Sequence, residues 1–310
     1  MNSSSGTIQK GRRDRLRTGI ALAIMRRRNR LRGDNSPRPL FVIGSGRSGN
    51  TLVRRVLMAT GAIHIPPETF VLGEIIEMWP RLKSLMWREK VWLFCAHFEK
   101  HPHFADFGLG SLNDFAIQAL GMSDRSLPAL ITAFYRYLAQ AENSDASRWG
   151  DKTPYNTFHL PALRAAFPDA QFLWLTRDGR DAALSYVEAG LYQDFPTAAR
   201  RWVDANRACE TLARTGADVF RQSYETLVTA PQASFCDICD WAALPFDPAM
   251  LSAPAARLGD VEVHAHHGNV KSPISAASVG RWKTRLRGED LAQAPDDFPV
   301  MLERMGYDPQ

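Results

Sequence analysis

The sequence predicts an α/β fold in which a parallel β-sheet is flanked by helices in three α/β/α layers. Two short apolar runs, "LFVIG" (40–44) and "QFLWLT" (171–176), have the length and composition of strands buried on both faces. Each is followed by a glycine-bearing turn and then by a stretch with helical periodicity. A third run, "DVFRQSYETLV" (218–228), also reads as a strand leading into a helix, and alternating strands and helices favour parallel pairing. At 310 residues, with 45% hydrophobic and 10% aromatic content, the chain can bury a full core.

Taken in chain order, the first element is a basic tail. Residues 1–38 hold eleven Lys/Arg against Asp14 and Asp34, a charge of +9, so the net +5 of the whole chain leaves −4 on the remaining 272 residues. The basic character therefore belongs to the tail, and residues 39–310, read as one domain, have no nucleic-acid-binding profile. Within the tail, Leu16, Ile20, Ile24 and Leu31 fall near one helical face among arginines. This pattern fits either a disordered leader or an interfacial helix making peripheral membrane contact through residues 10–32. No apolar run reaches the length of a membrane-spanning helix.

After "SPRP", the strand 40–44 runs into "GSGRSGNT" (44–51), and "TLVRRVLMATG" follows with helical spacing and Gly61 as its stop. The loop fits two phosphate-binding patterns, G-x-G-x-x-G and G-x-x-x-x-G-K-[ST] with Asn50 in place of lysine. The dinucleotide pattern needs an acidic residue at the end of a second strand about 20 positions on. Glu68 has the spacing, but Pro66 and Pro67 immediately precede it and take it out of a strand. Without the lysine, a γ-phosphate loses its positive neighbour, which disfavours a nucleotide kinase. What remains is a P-loop-like anion cradle built from Gly46, Arg47, Ser48, Gly49, Asn50 and Thr51 at a helix N-terminus.

Residues 74–142 read as mostly helical, and their aromatic residues Trp79, Trp87, Trp92 and Phe94 fit either an acceptor pocket or core packing. His97, His101 and His103 lack carboxylates at metal-site spacing, and His264, His266 and His267 read as a loop, so no metal is expected. Farther on, "RDGR" forms the turn after the strand 171–176, and Asp181 suits the N-terminal dipole of the next helix. Cys236-x-x-Cys239 has no second pair and reads as one face of a packed helix rather than zinc or redox chemistry. Four cysteines are too few for a disulfide scaffold, which suggests a reducing, cytoplasmic compartment.

These residues carry a resemblance. "FVIGSGRSGNTLVRRVL" resembles the 5′-phosphosulfate loop of sulfotransferases that use 3′-phosphoadenosine 5′-phosphosulfate (PAPS), and "WLTRDGRDAALS" is similar to their 3′-phosphate motif. "PPETF", "DKTP", "YETL" and "GRWKTRL" resemble further elements of the tyrosylprotein branch, in the same order. The marks span about residues 39–287. The resemblance implies PAPS as co-substrate, Arg177 and Ser185 on its 3′-phosphate, Tyr224 near the adenosine, and Arg281 and Lys283 on its phosphates from a closing segment. It also implies Glu68 as the base, with Arg47 and Lys152 stabilising charge on the transferring group. Two departures stand out: Asn50 replaces a Thr in the loop, and Phe70 replaces an Arg that helps hold an acidic peptide. The expected acceptor is therefore a small molecule, carbohydrate or lipid rather than protein tyrosine.

Read residue by residue, other roles stay open. Glu68 could cap a helix starting near Thr69, Lys152 could be a surface residue, Tyr224 a core tyrosine, and 281–287 an exposed basic run. A non-catalytic nucleotide-binding or membrane-recruited adaptor on the same fold is the alternative to an enzyme.

Overall fold

The computed structural model describes residues 4–30, 38–252 and 274–309, with side chains in the first segment from residue 16 to 29. Five strands form one parallel sheet: β1 (Leu40–Gly44), β2 (Ile63–His64), β3 (Arg148–Asp151), β4 (Gln171–Thr176) and β5 (Asp218–Ser223), in the order β2-β3-β1-β4-β5. β1 is central because every one of its residues is buried, and its alternation feeds two cores. Phe41 and Ile43 join Phe172 and Trp174 of β4 in one layer, while Leu40 and Val42 join Leu173 and Leu175 in the other. Each such side chain contributes roughly 1.5–3 kcal/mol on burial.

The smaller layer is closed by α2 (Asn50–Ala59), through Val53, Val56 and Leu57. The larger layer holds α3 (Leu72–Met78), α4 (Trp87–Glu99), α5 (Asn113–Leu120), α6 (Leu127–Ala141), α7 (Leu160–Ala166), α8 (Gly179–Glu188) and α9 (Phe195–Ala213). After β5, α10 (Tyr224–Thr229) and α11 (Pro231–Ala242) return to the smaller layer through Leu227, Phe235 and Ile238. Short helices α12 (Trp282–Arg285), α13 (Gly288–Ala292) and α14 (Phe298–Arg304) end the chain, with Phe298 and Met301 in the larger core. The three-layer α/β/α expectation is met. The connection after β1 runs to β2 on one side and the connection after β4 runs to β5 on the other, which opens a crevice at the carboxyl ends of the adjacent β1 and β4, where ligands of such sheets bind.

Several local expectations change. β2 and β3 escape hydropathy because one is two residues long and the other reads "RWGD". The third strand stops at Ser223, so Tyr224 opens α10 instead of ending a strand. The first segment holds a helix, α1 (Ser4–Arg30). Leu22 is buried against the larger core, and the Asn29 amide donates to the carbonyls of Ala165 and Ala166 at the end of α7. Leu16, Ile20 and Ile24 stay exposed on the outward face, whereas Leu31 lies outside the described residues. Trp79, Trp87, Trp92 and Phe94 do not line the crevice; Phe94 is core, and the Trp87 indole donates to the Ala119 carbonyl. Cys236 and Cys239 lie on α11, with Cys239 packed inward.

Candidate active site

The loop after β1 is pinned from below. The Thr157 hydroxyl accepts from the Gly44 N–H and donates to the Gly44 carbonyl, both at 3.0 Å. The chain then turns through Arg47 at φ 64° and Gly49 at φ 88°. Positive φ at arginine is sparsely populated and is kept only where surrounding structure holds it. A Cβ on Gly49 would stand 2.7 Å from the Tyr224 ring, and one on Gly46 would collide with the Tyr186 hydroxyl, so both positions require glycine. Gly49 caps α2 without a side-chain hydrogen bond, leaving the first-turn N–H groups for an anion. Among the described residues, Ser48 Oγ and both amide atoms of Asn50 are buried with no hydrogen-bond partner. Buried polar atoms of this kind call for a ligand, and the phosphosulfate of PAPS suits this donor set.

Two guanidiniums flank the loop. Arg47 Nε donates to Ser185 Oγ at 3.1 Å, and its pKa is lowered by burial and by the neighbouring Arg177 charge. Arg177, immediately after β4, donates to the Arg47 carbonyl at 2.7 Å and to the Ser278 carbonyl at 2.6 Å. Its guanidinium lies 4.6 Å from the Tyr224 ring centroid, and its Nε is buried without a hydrogen-bond partner among the described residues. Ser185 sits in the second turn of α8, not the first, yet still faces Arg47. Two like charges held this close favour a multiply charged anion between them.

Glu68 comes from the turn after β2 and Lys152 from the end of β3, and their Oε1 and Nζ meet at 2.6 Å. Lys152 is 1% exposed, so it is no surface residue, while Glu68 keeps 20% exposure toward the crevice. α3 begins at Leu72 with Val71 as its cap, which removes the helix-cap reading of Glu68. Beneath the pair, Asp151 accepts from Tyr135 (2.6 Å), Thr69 (2.8 Å) and Asn156 (2.8 Å), fixing β3 against α6 and the Glu68 turn. Phe70, at φ 49°, stacks on His101 and His103, each ring centroid 4.8 Å away. Burial and the adjacent His103 lower the pKa of His101.

A cavity of about 880 Å³ joins these parts. Gly46, Arg47, Gly49, Asn50, Thr51, Glu68, Arg177, Ser185, Tyr224 and Arg281 all line it. Ser48 and Lys152 are buried and do not line it. Lys283 is exposed, 5.9 Å from the Trp282 ring, and does not line the cavity; Arg281 lines it but is paired with Glu188 at 2.8 Å. Among the described residues no group of three or more His, Cys, Asp or Glu could hold a metal ion, and His264, His266 and His267 lie outside those residues.

The sequence reading missed four contributors. Asp181 does more than suit a dipole: its carboxylate accepts from the N–H groups of Gly280 (2.6 Å) and Trp282 (2.9 Å), clamping the closing segment to α8. Thr157 and Tyr186 carry no motif; only the loop's shape reveals them. Glu225 of "YETL" accepts from the Asp178 N–H at 3.0 Å and from the Tyr307 hydroxyl at 2.8 Å, supporting the start of α8.

Comparison with known proteins agrees with this geometry. Residues 39–248 match the sulfotransferase family. Protein-tyrosine sulfotransferase A of Caenorhabditis elegans is 24% identical over 283 residues, 87% of this chain and 67% of that protein. Human protein-tyrosine sulfotransferase 1 is 26% identical over 320 residues, covering 96% and 76%. The sulfotransferase domain of the Synechococcus PCC 7002 olefin synthase shares the fold at a TM-score of 0.62 and 22% identity, over 89% of this chain and 97% of that one. The cytoplasmic expectation is corrected by these relatives, since the tyrosylprotein enzymes are Golgi membrane enzymes. The cysteine count behind that expectation does not discriminate between compartments: burial raises the Cys95 and Cys239 pKa values to about 12 and 11, so these thiols stay protonated and inert in either setting. Among the described residues no helix is long and apolar enough to cross a membrane. The loop, the sheet order and the match over two thirds of the chain lead to one statement: this chain belongs to the sulfotransferase family and is a sulfotransferase enzyme.

Proposed function

We propose that the chain transfers the sulfuryl group of PAPS to a hydroxyl or amine of a small molecule, carbohydrate or lipid, with Glu68 as the base. The family generally uses PAPS as donor. The observation that carries the reading is that Glu68, on the wall of the cavity that also holds the glycine loop, is paired at 2.6 Å with the buried Lys152. Lys152 occupies Oε1 of the carboxylate, and Oε2 is the atom that takes the acceptor proton in this reading. The acceptor oxygen or nitrogen forms a bond to sulfur as the bond from sulfur to the 5′-phosphate oxygen breaks. The proton goes to Glu68, and adenosine 3′,5′-bisphosphate leaves. Charge on the transferring oxygens and the leaving group is met by Arg47, Lys152, Thr51 and the α2 amides, by analogy with phosphoryl transfer. Arg177, Ser185 and Tyr224 hold the 3′-phosphate end, and the segment carrying Arg281 and Lys283 covers the donor. Residues 39–310 form the catalytic domain, with α1 docked against it.

The test is sulfate transfer from labelled PAPS by Glu68→Gln. Turnover falls by on the order of 10²-fold, the usual contribution of a positioned base, while affinity for adenosine 3′,5′-bisphosphate stays near that of the parent. Normal turnover removes Glu68 as the base.

A further inference from the structure

Arg201 of α9 lines the same cavity and enters none of the roles above. Its guanidinium lies 3.8 Å from the Phe158 ring centroid and 5.9 Å from that of Tyr155, which lines the cavity together with Pro154. Among the described residues no carboxylate pairs with it. The carboxylates around the cavity are engaged elsewhere: Glu68 with Lys152, Asp106 with His103 and Glu188 with Arg281. Tyr186 stands between Arg201 and the loop. Its ring abuts Gly46, its hydroxyl faces Ser45 Oγ at 3.5 Å, and Arg201 also hydrogen-bonds to it. Arg47 and Arg177 are thus tied to the loop, Ser185 and Ser278, whereas Arg201 packs against Phe158 and near Tyr155.

A guanidinium in a cavity wall without a carboxylate partner is a recognition element. Stacking on an aromatic ring fixes its position, and its N–H groups match a carboxylate bidentately, which an ammonium cannot do. Leaving it unmatched would cost desolvation without return whenever an acceptor fills the cavity. We infer that the acceptor is an acidic hydroxyl compound whose carboxylate is held by Arg201, with the hydroxyl presented to Glu68 and the apolar part against Tyr155, Tyr192 and Leu191. This inference rests on the sulfotransfer reading above and adds the charge class of the acceptor.

The experiment uses the full chain with labelled PAPS and matched acceptor pairs, 4-hydroxyphenylacetate with its methyl ester and glucuronate with glucose. The acid of a pair that is turned over exceeds its neutral partner in kcat/KM by at least tenfold. Arg201→Met raises KM for the acid by about 10–100-fold and abolishes the preference, leaving KM for PAPS and kcat within about threefold; Arg201→Lys recovers only part of the preference. A merely structural Arg201 would instead lower turnover of acid and ester alike. Equal use of acid and ester by the parent enzyme, or a rise in KM for PAPS as steep as that for the acid, overturns this inference and leaves the transfer reading intact. Transfer to no compound of either kind overturns the transfer reading for small hydroxyl acceptors, and this inference with it.

Discussion

Lys152→Met separates a catalytic Lys152 from a structural one. The substitution removes a buried ammonium from a 2.6 Å pair and leaves a hydrophobe of similar length. Breaking a fully buried pair costs about 3–5 kcal/mol, because the remaining charge is stranded. Glu68, however, is 20% exposed and recovers some hydration through the cavity, which brings the expected loss to roughly 2 kcal/mol. In a domain of this size that lowers Tm by about 5 °C. Turnover falls much further, by about 10²–10³-fold, if Lys152 stabilises charge on the transferring group. The double variant Lys152→Met/Glu68→Gln, with neither charge present, regains most of the stability, and the non-additivity measures the pair. It regains none of the turnover. Thermal melts read the first quantity, and single-turnover transfer from labelled PAPS reads the second. Turnover of Lys152→Met within threefold of the parent would refute the catalytic role, and additive losses of stability would refute the pairing.

Arg177→Ala should weaken binding of adenosine 3′,5′-bisphosphate by about 10–100-fold, the scale of one charge-assisted hydrogen bond, and binding of 5′-AMP much less; equal losses in calorimetry would remove the 3′-phosphate assignment. His64, buried on β2 beside Arg54, is held neutral with a pKa near 4 against 6.5 when unfolded. Stability is therefore complete above pH 6.5 and falls by roughly 3 kcal/mol as pH drops to 4. Urea titrations of the parent should show that slope and those of His64→Gln should not; equal slopes would sink the assignment. The outward face of α1, with Leu16, Ile20 and Ile24 exposed among arginines, should bind anionic vesicles in a salt-sensitive manner. Changing those three residues to Ser should release the protein in a sedimentation assay, and undiminished binding would exclude that face.

β1, its loop and β4 were legible because contiguous apolar residues and obligatory glycines leave a signal in one dimension. β3 was not, because its ends are polar and buried. Arg148 donates to the carbonyls of Arg38 and Ala242 and to the Gln171 side chain, so a charge that looks exposed in sequence is satisfied inside. A resemblance named Arg47, Glu68, Lys152 and Arg177, and the fold brings Arg47, Glu68 and Arg177 to one cavity with Lys152 against Glu68. Asp181 was visible but read by its nearest neighbours, whereas its partners, Gly280 and Trp282, lie about 100 positions away. The same limit applied to the aromatics of α3–α6. Periodicity could not say which rings face the core, and the cavity took Tyr155, Tyr186 and Tyr192 from later in the chain.

The hydrogen bonds on Asp151 bear on how this enzyme could be recombined with its relatives. Replacing the block from α3 to α6 is an obvious way to change acceptor choice, but that block supplies Tyr135, whose hydroxyl bonds to a carboxylate one residue before Lys152. A graft lacking a donor at that position leaves the buried Asp151 carboxylate with only Thr69 and Asn156, one donor short beside Lys152, and the chimera would lose activity through its scaffold before its new pocket met a substrate. Tyr135 and Asp151 should therefore travel as a pair across any crossover point.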